Sequence, residues 1–196
     1  AYPLSRRYFV LRMPLTLLIV FTMLFKGGLI PTFTLVNRLG LYDTRLVLIL
    51  LGAVGVWYVL IARTFFESIP ETVIESAKLD GANDLVILWR IVAPLSMPII
   101  AVLILFYAVE HWNSYFSALI YLPSKELQPL QLYLVKVLVD NTQSVADSIV
   151  ASEEKSLAIM QVKYSIIIVS TLPILLVYPF LQKYFVKGVM IGAIKG

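Results

Sequence analysis

The sequence has no cysteine and a single histidine, His111, among its 196 residues. Without cysteine there is no disulfide framework and no thiolate metal site. With one imidazole, any site that needs two is excluded, and Glu110 beside His111 makes too small a set to hold a metal. Charge is also scarce: Asp, Glu, Lys and Arg make up 14% of the chain, against about a quarter in soluble domains. No GxxxxGK(S/T) phosphate loop occurs, so the chain is not expected to bind ATP itself. No block of Lys and Arg suggests nucleic acid. The opening stretch AYPLSRRYFVLR, residues 1–12, lacks a start methionine and the short apolar region and cleavage site of a signal peptide. It reads as the continuation of an element already under way, and the chain is expected to lack an N-terminal portion.

What is present is apolar. Hydrophobic residues form 60% of the chain and the mean hydropathy is +0.88, which points to a membrane protein. Runs free of charge mark the spans at about 8–25, 46–62, 91–109 and 164–182. A bilayer core of about 30 Å needs roughly 20 apolar residues as helix, with about 17 as the lower limit. The first run reaches that length only if Arg12 snorkels. The runs are continuous, not alternating, and a helix satisfies its own backbone in lipid, so an all-α polytopic bundle is expected. It reads as a single domain over residues 1–196. The side holding 1–12, 63–90 and 183–196 carries the denser Lys and Arg set, which places the 63–90 loop in the cytoplasm. Residues 27–44 suit a short amphipathic segment at the opposite interface, and 110–163 form a long external loop. Its acids Asp147, Glu153 and Glu154 read as a contact surface or a solvated edge.

The 63–90 loop has a pattern of its own. Ser68 and Glu71 match a capping box with Pro70 at an early helical position. The spacing predicts a helix over Pro70–Leu79, with Val73, Ile74 and Ala77 on one face and Glu71, Glu75 and Lys78 on the other. Gly81 then stops it. Asn83 or Asp84 caps a second helix through Leu85–Ile91, and Pro94 and Pro98 lie where that helix meets the span. An apolar face turned to the cytoplasm suggests a partner with a hydrophobic groove.

The stretch ESAKLDGANDLVILWRIVAP, residues 75–94, resembles the loop of bacterial ABC importer permeases: Glu-Ala-Ala, three residues, Gly, nine residues, Ile-x-Leu-Pro. Here Glu75, Ser76 and Ala77 are followed at that spacing by Gly81, and then by Ile91 and Pro94. Ser76 replaces an alanine and Ala93 a leucine. The run LDGA at 79–82, with Asp80 and Ala82 about the glycine, is similar to the carbohydrate-uptake group. GGLIPT at 27–32, TFFESIPE at 64–71, WNSYFSALIYL at 112–122 and PFLQKYFVKGVMIGAIKG at 179–196 extend the resemblance to the maltose-type branch. Its oligosaccharide and polysaccharide-fragment subgroup is the most similar. The resemblance implies six spans, the first and most of the second lying outside this chain. It also implies a multi-pass subunit of the bacterial cytoplasmic membrane, a transport subunit and not an enzyme. Its partners would be a second permease, two ATPase subunits that bind ATP and Mg, and an extracytoplasmic solute-binding protein. Glu75, Ser76, Ala77, Asp80, Gly81, Ala82, Ile91 and Pro94 would form the ATPase-coupling segment.

Tyr107, Trp112, Asn113 and Tyr115 are candidates for a saccharide path, because aromatics with hydrogen-bonding groups stack on sugars and pair their hydroxyls. An interfacial anchor is the other reading of Trp112. Ser96, Pro98, Ser165, Ser170, Thr171, Pro173, Tyr178 and Pro179 either line a path or pack helices. Lys187 and Lys195 lie near the ATPase or at the lipid surface. A non-sugar cargo in the same architecture is the alternative function. An ion-coupled transporter would need intramembrane charges that the three clear spans lack.

Overall fold

The computed structural model describes residues 1–146 and 153–193, with side chains described for all of these except 140–146, 153–156, 158–159 and 180–193. Asp147 and Lys195 lie outside the described residues, as do the side chains of Glu153, Glu154 and Lys187. The described chain is all-α, with no strand. Its helices are α1 Tyr2–Ser5, α2 Arg12–Leu24, α3 Leu29–Arg38, α4 Arg45–Leu51, α5 Val56–Glu67, α6 Glu71–Leu79 and α7 Asp84–Ile87. A π-helical segment, Leu88–Val92, leads into α8 Ala93–Leu95 and α9 Met97–Trp112. Then come α10 Tyr115–Tyr121, a 3-10 turn at Lys125–Leu127, α11 Leu130–Ala146 and α12 Glu153–Ala193.

Among the described residues one stretch, Met160–Pro179, is long and apolar enough to cross a membrane as a continuous helix. Three helix pairs reach that length only when each is taken as one bent span: α2 with α3, α4 with α5, and the Asp84–Leu95 run with α9. The expected second span, 46–62, is therefore interrupted at residues 52–55, where two glycines flank a short apolar pair. The expected third span, 91–109, begins instead at Met97 after an 81° bend at Ser96. Ser96 marks this bend because its backbone, at φ −100° and ψ 11°, leaves the helical region while its N–H still closes back on the Val92 and Ala93 oxygens. The 27–44 segment and much of the 110–163 loop are helical, including α3, α10 and α11.

The chain clusters into two compact units where one domain is expected from sequence. The first comprises Ala1–Leu29, Ala53–Tyr107 and residues from Leu181 onward; the second comprises Ile30–Gly52 and Ala108–Phe180.

In the first unit, buried Tyr2, Ile69, Ile74, Ala77, Ile87 and Val92 form a core, with Phe66, Ala82, Leu88 and Ile91 packed on it. Full burial of Ile87 alone is worth roughly 1.5–3 kcal/mol, and it joins α7 to α6 and to the N-terminal turn. Arg6 is only 2% exposed. It is tolerated there because its Nη2 donates to the Phe66 carbonyl at 2.6 Å and its guanidinium stacks over the Tyr2 ring at 5.1 Å. Arg12 and Arg63 converge on one Glu67 oxygen, at 2.7 and 3.0 Å. At the N-terminus of α5, the Gly55 N–H donates to the Tyr107 hydroxyl at 3.0 Å, and the Tyr107 ring meets Tyr58 edge-on at 4.7 Å.

In the second unit, Val36, Val47, Ala118, Tyr121, Leu122 and Leu132 are buried together. Asp43 ties the turn before α4 to the chain beyond α10. Its N–H donates to the Tyr121 carbonyl at 3.0 Å, and its carboxylate accepts from the Ser124 N–H at 3.2 Å and from the Ser124 hydroxyl.

Candidate functional site

The coupling segment is built by helix α6 and its two ends. The expected capping box is not formed. The chain makes a further turn after α5, so the Ser68 hydroxyl folds back onto the Phe65 carbonyl at 2.7 Å, and Pro70 is the residue that precedes the helix. The glycine stop is formed. Gly81 has φ +80°, its N–H donates to the Lys78 carbonyl at 3.0 Å, and the Ala82 N–H reaches the Ala77 carbonyl at 3.0 Å. That pair of bonds closes the helix in a Schellman motif, in which a left-handed residue turns the chain out of the helix. Of the two expected caps for the next helix, Asn83 is the one used, its Oδ1 accepting from the Val86 N–H at 2.8 Å.

The apolar face of α6 does not point outward as expected. Ile74 and Ala77 are buried in their own unit, because the N-terminal turn and α7 supply the hydrophobic surface they need. The solvent side of α6 instead carries Glu71, Glu75, Ser76 and Lys78, with Val73 at its edge. Ser76 donates to the Thr72 carbonyl at 2.8 Å. Beyond it, Leu79 is 89% exposed, Leu85 68% and Trp89 73%. Asp80, Gly81 and Pro94 are also exposed, while Ala82 and Ile91 are half-buried. A cleft of about 320 Å³ runs beside α6, lined by Arg6, Arg7, Tyr8, Glu71, Ile74, Glu75 and Lys78. Lys78 sits 4.0 Å from the Tyr8 ring centre and 3.5 Å from an Asp84 oxygen. Burial raises the Tyr2 phenol above its ordinary pKa, and the neighbouring Tyr8 acts in the same direction.

The four residues expected along a saccharide path divide between the two units. Tyr107, in the first unit, caps the break before α5. In the second unit the Trp112 indole donates to the Ser170 carbonyl at 2.8 Å, which ties α9 to α12. Ser170 and Thr171 direct their own hydroxyls to the Ile167 carbonyl, the geometry of residues satisfying their helix. Asn113 accepts from the Gln131 amide at 3.4 Å, and Tyr115 is exposed.

Asn113 belongs to a different constellation, in the second unit. A cavity of about 370 Å³ is lined by Leu48, Leu51, Gly52, Glu110, His111, Asn113, Ser114, Phe116 and Ser117. A Cβ on Gly52 would stand 2.8 Å from His111 Cε1 and 2.9 Å from Nε2, so the imidazole occupies the space a side chain would need. Sequence reasoning assigned Glu110 and His111 no role here and did not single out Gly52. The one available signal was a glycine in an otherwise apolar span, which marks close approach by some neighbour.

Residues 7–191 match the family described as binding-protein-dependent transport system inner membrane component. The chain is 45% identical over 196 residues, its full length, to the polygalacturonan/rhamnogalacturonan transport system permease protein YtcP of Bacillus subtilis, covering 68% of it. It is 44% identical over 198 residues to protein LplC of the same organism, again along the whole of this chain and 66% of that one. A crystal structure of a bacterial ABC transporter involved in the import of the acidic polysaccharide alginate contains a chain of the same fold. The TM-score is 0.79 at 37% identity, over 94% of this chain and 65% of that one. The chain thus spans about two thirds of the length of these relatives. By its all-α fold, its glycine-closed loop and this match over nearly its whole length, the chain belongs to the family of binding-protein-dependent transport system inner membrane components.

Proposed function

We propose that this chain is a permease subunit of an ATP-driven carbohydrate importer in the bacterial cytoplasmic membrane. Two ATPase subunits would bind ATP and Mg, a second permease would complete the path, and an extracytoplasmic binding protein would deliver the sugar. The observation that carries this reading is the geometry of α6. It is closed by Gly81, and its Ile74 and Ala77 share a buried core with Ile87 of α7, which would let a push on one helix reach the other. Around that core Glu75, Leu79 and Leu85 are exposed, which suits a partner groove with both polar and apolar walls.

A push on α6 then reaches the membrane through a short path. From α7 it passes along Leu88–Val92 to the 81° bend at Ser96 and into α9. A π-helical turn has more freedom to change register than an α-helix, and such turns are frequent at functional sites. ATP-driven closure of the partners would therefore reorient α9 by moving α6 and α7 about a softer joint. The proposed cargo is a fragment of an acidic polysaccharide. Support comes from the names of two similar proteins, one for polygalacturonan/rhamnogalacturonan and one for alginate.

The test is purification of the full transporter and measurement of its ATPase with loaded binding protein. Co-purification of an ATPase and stimulation by oligogalacturonate-loaded binding protein are expected. Normal sugar uptake in cells lacking every ATPase partner would overturn the reading.

A further inference from the structure

The cavity of the second unit is not used by the coupling argument, and its lining is chemically specific. Glu110, His111, Asn113 and Ser117 supply a carboxylate, an imidazole, an amide and a hydroxyl, while Phe116 adds an aromatic ring at the edge. The leucines of α4 close the other wall. Its volume of about 370 Å³ falls within the range of small-molecule pockets, which runs from about 300 to 1,000 Å³. Gly52 is the residue that admits the imidazole to this space. Its φ of −99° is open to any residue, so the glycine is required by space and not by backbone conformation. Asn113 is oriented by Gln131, whose amide donates to its oxygen and leaves its NH2 free to donate elsewhere.

The charge of the lining decides what it takes. Among the lining residues there is one carboxylate and no Lys or Arg. A carboxylate accepts hydrogen bonds from sugar hydroxyls but repels a second carboxylate. We propose that this cavity is a sugar subsite that binds the hydroxyl-bearing, uncharged part of a saccharide. Glu110, His111 and Asn113 pair its hydroxyls, and Glu110 discriminates against a uronate carboxyl at this position. The inference rests on the carbohydrate-importer reading above and narrows it to a place and a ligand chemistry.

The experiment uses the complete transporter, reconstituted in vesicles with one saturating preparation of loaded binding protein. The two cargoes are trigalacturonate and its methyl ester. Sugar delivered and ATP hydrolysed are measured together. His111→Gln and Gly52→Val are expected to lower sugar delivered per ATP about tenfold, the effect of about one lost hydrogen bond. Stimulated ATPase should stay within about twofold of the wild type, since the coupling segment is untouched. Glu110→Gln is expected to raise uptake of the free acid relative to the ester. Adding His111→Ala to Gly52→Val removes the steric conflict; it should restore assembly, if Gly52→Val fails to assemble, but not delivery per ATP.

An unchanged sugar-to-ATP ratio in His111→Gln and an unchanged acid-to-ester ratio in Glu110→Gln overturn the subsite. So does a parallel fall of transport and ATPase in both variants, which marks a structural role. If wild-type vesicles hydrolyse ATP but move neither sugar, the carbohydrate reading has failed, and that outcome is distinct from loss in the variants alone.

Discussion

The Tyr107 hydroxyl accepts the Gly55 N–H at 3.0 Å, so a side chain on α9 caps the helix that resumes after a break in the second span. In a low-dielectric setting an unpaired N–H is costly, and α5 starts where it does because this one is satisfied. The Tyr107→Phe variant keeps the ring and its edge-on packing against Tyr58 but removes the acceptor. It should lose about 1–3 kcal/mol of local stability. The check is the melting temperature of the purified transporter, with backbone exchange at Gly55 and Val56 as the local readout. Unchanged exchange there would show that the hydroxyl does not hold the break.

Gly81 gives a graded test of the coupling segment. A Cβ at this position would meet nothing within 4 Å, so the only obstacle to a side chain is φ +80°. Gly81→Asn should be tolerated, because asparagine visits the left-handed region readily, whereas Gly81→Val should cost at least about 1–2 kcal/mol. If the turn positions α6 against an ATPase, stimulated hydrolysis should persist in Gly81→Val while uptake per ATP falls, with Asn near the wild type. Equal uptake per ATP in the two variants would separate the turn from coupling.

Much of this segment was legible from sequence, because its signals are local. The glycine stop, the Asn83 cap and the helix between them depend on residues within a few positions of one another. Where a local signal failed, at Ser68, the reason was also local: one extra turn after α5 offered its hydroxyl the Phe65 carbonyl. The inward rotation of Ile74 and Ala77 was not legible, since it depends on Tyr2, which lies some seventy residues earlier. The same limit hid the cavity. Gly52 and His111 mean little separately, and no periodicity signals their juxtaposition. The helix breaks at 52–55 and Ser96 were masked for a different reason. Hydropathy reports apolar length and is blind to a bend within it.

Glu67 is the shared partner of Arg12 and Arg63. Both arginine side chains are three-quarters or more buried, and the Glu67 side chain is about one third exposed. The Glu67 carboxylate, the more open member of the set, is screened by solvent, so Glu67→Gln should cost only about 0.5–1 kcal/mol, less at high salt. Melting of the variant and wild type in low and high salt should therefore converge as salt rises. A difference that persists at high salt would mean the loss comes from packing or from a stranded guanidinium.

Leu85 and Ile87 stand two residues apart on α7 with opposite surroundings: the first is 68% exposed and the second fully buried. That contrast separates a partner surface from a core. Ile87→Ser places a hydroxyl among apolar side chains and leaves a cavity, which should cost about 2–5 kcal/mol. Loss of folded protein is the expected result. Leu85→Ser removes nothing buried in this chain, so its stability should change by less than about 0.5 kcal/mol. If Leu85 docks in a groove of the ATPase, the same variant should nonetheless lower ATPase retention on purification, because the groove loses an apolar anchor. Normal retention of the ATPase by a stable Leu85→Ser variant would remove Leu85 from the docking surface. The contact would then rest on Glu75, Leu79 and their neighbours.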